Sequence, residues 1–109
     1  MSAAKHSPIF STLADDPKAG DEIDAFVVAL AERVDEIQDC EAREDHAELA
    51  ERAALLSAQS ARVGYEPLAS AAKAVGGAAL EGDEESAHKA VVELTELSQR
   101  VRLGHRGAL

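Results

Sequence analysis

The sequence is poor in aromatic side chains. Phe10, Phe26 and Tyr65 are the whole set, and tryptophan is absent. With β-branched residues also sparse, the material for β-sheets is missing. Cys40 is the single cysteine, which excludes an internal disulfide and a cysteine-based zinc site. Only 11 side chains are basic against 21 acidic, a net charge of −10. An acidic surface repels phosphate backbones and anionic lipid, which counts against nucleic acid and membrane as partners. No apolar run approaches the roughly 20 residues that span a bilayer. MSAAKHSPIF, at the start, lacks the apolar core of a signal peptide, so the expected location is cytoplasmic.

What is plentiful is alanine, at 23 of 109 residues. Alanine is the best helix former, and the composition is all-α. Apolar residues recur with helical spacing in four blocks. Ile23, Phe26, Val27, Leu30, Val34 and Ile37 predict a helix from about Lys18 to about Glu41. Leu49, Ala53, Leu56, Ser60 and Val63 predict a second, starting near Asp45. There Asp45 and Glu48 fit a capping box, and Gly64 suits the helix end. Pro67 opens a third, with the stripe Leu68, Ala71, Ala72, Val75, Ala79 and Leu80, closed by Gly82. Asp83 caps a fourth, with the stripe Ala87, Ala90, Val91, Leu94, Leu97 and Val101, ending at Gly104. Asp39–Arg43, Glu48–Arg52, Glu85–Lys89 and Glu96–Arg100 are spaced as supporting i,i+4 pairs.

Short loops between four amphipathic helices predict an antiparallel up-down-up-down four-helix bundle, a single domain over 1–109. Ile9, Phe10 and Leu13 predict a short helix or turn lying across one bundle end. Residues 1–7 and 105–109 are expected to be loose. Gly76-Gly77 interrupts the third stripe and predicts a local irregularity, by a kink or a close backbone approach.

Catalytic and metal patterns are missing. Gly76-Gly77 is not followed by the GK[ST] of a phosphate loop, and there is no HExxH. His6, His46, His88 and His105 lie one per region, with no i,i+4 partner to build a metal site. No enzyme, cofactor or metal is expected. A semi-buried structural thiol is the expectation for Cys40.

The helical layout and one local stretch resemble a histidine-containing phosphotransfer (HPt) domain, the four-helix carrier of phosphorelays. Members of this type carry a pattern close to L-A-H-x-L-K-G-A-A-x-x-x-G-F, then Pro-Leu. The chain has Arg52-Ala53-Ala54-Leu55-Leu56-Ser57-Ala58-Gln59-Ser60-Ala61-Arg62-Val63-Gly64-Tyr65, then Pro67-Leu68. On that match the phosphorylatable histidine falls on Ala54, the phosphate-assisting lysine on Ser57, and the glycine that admits a receiver domain on Ala58. The resemblance therefore implies a degenerate member that keeps the packing and lacks the acceptor. Phosphotransfer by this route needs an exposed imidazole nitrogen, which Ala54 does not supply.

The resemblance also implies partners: a response-regulator receiver domain or a histidine kinase. The partner-binding face would be Ala54, Leu55, Ser57, Ala58 and Ala61. One alternative folds Leu55 against its neighbours and leaves the alanines as helix filler. Another makes the same face a homodimer seam in a structural module, so monomer and homodimer both stay open. A third uses a displaced histidine as phospho-acceptor. His46 is the better candidate, although it lies about 12 Å along the helix from Ala54 and near its positive end.

Overall fold

The computed structural model describes residues 7–107. Four helices carry the chain: α1 (Gly20–Ala42), α2 (His46–Arg62), α3 (Glu66–Leu80) and α4 (Glu84–Gly107). Three residues separate each from the next, too few for anything but a reversal. Each helix packs against two neighbours, with α4 closing back on α1. The result is the up-down-up-down bundle that the stripes predict. The core is drawn from those stripes: Leu30, Ile37, Leu49, Leu56, Leu68, Leu94, Val75 and Val101 are all but fully buried. Leu80 is the exception, 79% exposed in the last turn of α3.

The three connectors share one geometry. In each, a residue with positive φ follows the helix: Glu44 (57°), Gly64 (83°) and Gly82 (69°). At the second connector, the Gly64 N–H donates to the Ala61 carbonyl and the Tyr65 N–H to the Ser60 carbonyl. Gly82 and Asp83 repeat this on Ala79 and Ala78, and Glu44 and Asp45 on Glu41 and Cys40. These are Schellman closures, which satisfy the last helical carbonyls. The residue that closes one helix then opens the next. Asp45 accepts from the Glu48 N–H at 3.1 Å, and Asp83 from the Ser86 N–H at 3.1 Å. Only half of the expected capping box forms, because the Glu48 carboxylate turns to Arg43 instead.

Three expectations are corrected. Helix α3 runs unbroken through Gly76-Gly77. There is no kink: Gly76 faces α2, where a Cβ would lie in ordinary contact, 3.6 Å from the Ala50 carbonyl and from Ala53 Cβ, while a Cβ on Gly77 would meet nothing within 4 Å. Gly104 does not end α4, which continues to Gly107. A Cβ on Gly104 would collide with the Ile9 main chain, so this glycine admits the leader. The expected Glu96–Arg100 pair gives way to Arg100 Nε donating to the Ser7 carbonyl at 2.8 Å.

The leader crosses the end of the bundle, as expected, as irregular chain followed by turns and without a helix. Its Ile9 N–H donates to the Arg100 carbonyl (3.0 Å) and its Thr12 N–H to the Gly64 carbonyl (2.9 Å). Ile9 and Ser11 face the bundle, while Phe10 is 56% exposed. The expectations for residues 1–6, His6 included, and for 108–109 fall outside the described residues.

Candidate functional site

The sequence places the candidate face on α2, and its residues emerge together. Ala54, Leu55, Ala58 and Ala61 are all exposed, Leu55 by 57%. They sit outward of the core positions Ala53, Leu56 and Ser60, which the 3.6-residue period turns inward. Ser57 differs. It is half-buried, and its hydroxyl donates to the Ala69 carbonyl of α3 at 2.9 Å. That hydrogen bond uses the one proton Ser57 has to give.

Helix α3 supplies the other side of the face. Ala69 meets Ser57, and Gly76 meets Ala50 and Ala53. Lys73 stands four residues after Ala69 and three before Gly76, so it shares their side of α3. Its side chain is exposed. The sequence pattern did not mark Lys73. Its placement depends on the register of α3 against α2, and no single-helix periodicity carries that register.

None of the described histidines reaches this face. His46 Nε2 lies 3.5 Å from a Glu84 carboxylate oxygen, at the start of α4. His88 Nδ1 pairs with Glu41 at 2.9 Å, and His105 Nε2 is 3.4 Å from Asp24. His46 opens α2 while Ala54 sits at its middle, so the structure does not bring the surrogate and the face together.

The Cys40 thiol is fully buried, deeper than expected, and donates to Glu48 at 3.3 Å. Burial, then the Glu48 carboxylate, push it above its ordinary range. A buried, protonated thiol is a poor nucleophile. Glu48 also accepts from Arg43 at 2.9 Å, and this hydrogen bond first of all holds its carboxyl below the usual range. Arg52 bridges Glu48 (3.5 Å) to Glu36 of α1 (3.0 Å). Among the described residues, no three His, Cys, Asp or Glu side chains are grouped to hold a metal ion, and no helix is long and apolar enough to cross a membrane.

A groove of about 340 Å³ lies on the other flank of α2, against α1, between Phe26, Ala29, Arg33 and Gln59. The Ala54 face is not part of it. That face is open and small-featured, a shape that suits a protein surface better than a small molecule. The chain matches no family model, no curated protein and no solved structure.

Proposed function

We propose that the chain is a non-catalytic docking bundle of HPt-like build. In this reading it binds a receiver domain or a histidine kinase through α2 and α3, and does not accept phosphate. One observation carries it. Ala54, where the resemblance puts the reacting histidine, is exposed beside the exposed Leu55, Ala58 and Ala61, and no described histidine shares the face. The geometry that presents the face is there, and the nucleophile is not. Ser57 adds to this, since its hydroxyl is engaged by Ala69.

The test is a binding titration against receiver domains and kinase cores, run beside radiolabel transfer from phosphorylated receivers. Saturable binding that weakens at least about tenfold in Leu55→Glu supports docking, a loss in the range of a hot-spot apolar residue. Stable label on histidine in the wild type, lost in His46→Ala, would replace the docking reading by phosphotransfer. A second reading rests on the same exposed Leu55: a homodimer seam. Sedimentation decides it, since a dimer that dissociates in Leu55→Glu assigns the face to a second copy.

A further inference from the structure

The leader and the bundle beneath it are joined by contacts of an unusual kind. Hydrogen bonds hold the leader down, among them the following four. Two are the main-chain bonds of Ile9 to Arg100 and Thr12 to Gly64. The third runs from the Ser11 hydroxyl to the Val63 carbonyl, and the fourth from Arg100 Nε to the Ser7 carbonyl. At both landing points the bundle carries a glycine whose missing Cβ makes the room. On Gly64 a Cβ would come within 2.7 Å of Ser11 Oγ and of Thr12 Oγ1. On Gly104 it would strike Ile9. Gly64 is needed for its positive φ as well, but Gly104 sits inside a helix with negative φ, where glycine is a poor choice. The leader gives a reason for it.

The leader adds little to the core in return. Ile9 packs on the core only in part, and Phe10 and Leu13 stay exposed. Apart from the buried Ser11 bond to Val63, the segment is held with little apolar burial, which places it at the low end of local stability. Beneath it lies a cleft of about 170 Å³ bordered by Phe10, Ile23, Tyr65 and His105. Tyr65 is 2% exposed and stacks on Phe26 with ring centroids 5.7 Å apart.

We infer that residues 7–13 form a latch that opens as a unit while the four helices stay folded, and that its opening uncovers Tyr65 at that end of the bundle. This stands apart from the docking reading, since it concerns another surface.

The chain offers its own reporter. Tyr65 is the only tyrosine and there is no tryptophan, so tyrosine fluorescence reads this one site. In the wild type, the Ile9 and Thr12 amides should exchange hydrogen at a common rate, at least about a hundredfold faster than the amides of Leu30 and Leu94. In Gly104→Ala their protection should fall together by about tenfold or more, with helical circular dichroism retained. Acrylamide quenching of Tyr65 should rise in parallel. Ser11→Ala, which removes the bond to Val63 without touching a helix, should move the same readouts in the same direction by less. Exchange of Ile9 and Thr12 at the core rate, or at unrelated rates, overturns the latch. Loss of helical signal in both variants also overturns it, because the leader would then belong to the bundle's cooperative unit. Unchanged Tyr65 quenching alongside lost leader protection overturns the uncovering.

Discussion

The two ends of the bundle are held by different physics. At one end, where α1 passes into α2 and α3 into α4, the contacts are charged. Arg43 joins Asp39 and Glu48 at 2.9 Å each, Arg52 joins Glu36 at 3.0 Å, and His88 joins Glu41 at 2.9 Å. At the other end, where α2 passes into α3, ion pairs are present as well, Arg62 with Glu22 at 3.1 Å and His105 with Asp24 at 3.4 Å, but the leader lies on Val63, Gly64 and α4 through main-chain and hydroxyl groups and the Arg100 guanidinium. Charged contacts at a surface tolerate change, because water and salt share the work. Close backbone approach does not, because one added methyl has nowhere to go. The leader end should therefore be sensitive to shape and the charged end to ionic conditions.

The glycine pair Gly64 and Gly82 separates these effects most sharply. Both hold positive φ after a helix, so alanine at either meets the same backbone strain of about 1–2 kcal/mol. Beyond that they differ. A Cβ on Gly82 meets nothing within 4 Å, whereas on Gly64 it meets Ser11 and Thr12. Gly64→Ala should therefore have the largest effect, a loss of about 3 kcal/mol once overpacking is added. Gly82→Ala should lose about half of that, the strain alone. Urea unfolding of both variants measures the difference. Equal losses would mean that the leader does not press on Gly64, and the contrast between the ends would fail.

How much of this was legible in the sequence follows from what periodicity encodes. The apolar stripes located all four helices, because a helix in a bundle announces its buried side every three or four residues. Gly64 and Gly82 were readable as helix ends, since positive φ is a local demand. Gly104 looks like another helix end and Gly76-Gly77 like an irregularity, whereas Gly104 admits Ile9 and Gly76 faces Ala50 and Ala53 in an unbroken helix, and an isolated pattern cannot name the distant partner. In the leader, the apolar residues Ile9, Phe10 and Leu13 place the segment across a bundle end, but they do not tell that Ser11 is buried and Phe10 left out. For the candidate face, the exposure of Ala54, Leu55, Ala58 and Ala61 could be read from the stripe they flank. The engagement of Ser57 by Ala69 and the arrival of Lys73 could not, since both depend on how α3 is seated on α2. One core position carries a cost the stripe conceals. The Ser60 hydroxyl is buried with no hydrogen-bond partner, so Ser60→Ala should raise stability by about 1 kcal/mol.

Glu44 tests the charged end by shape. It holds the positive-φ position that Gly64 and Gly82 hold elsewhere, with a φ of 57° and a side chain that strains it. Glu44→Gly should stabilise the protein by about 1 kcal/mol, the reverse in sign of the Gly82→Ala change. A loss would show that the Glu44 side chain contributes to the charged end more than its backbone strain costs.

The smallest expected effect is the response of the charged end to ionic conditions. Glu48 and Asp83 both lie there, and both carboxyls are held below their ordinary values of 4.5 and 3.8, Glu48 first by Arg43 and Asp83 first by Ser86. A depressed folded value means that the unfolded chain binds protons first as the pH falls. The stabilisation is complete above the ordinary values and is lost as the pH drops through the folded ones. The urea midpoint should therefore hold from pH 7 to pH 5 and decline below about 4.5. Because these groups face water, 1 M NaCl should shrink the Glu48 part of that decline, and Arg43→Ala should shrink it too. The leader bonds of Ile9 and Thr12 contain no ionisable group, so their exchange protection should not follow the salt. Should it do so, the two ends are coupled through the helices, and the bundle responds to charge as one body and not as two separate ends.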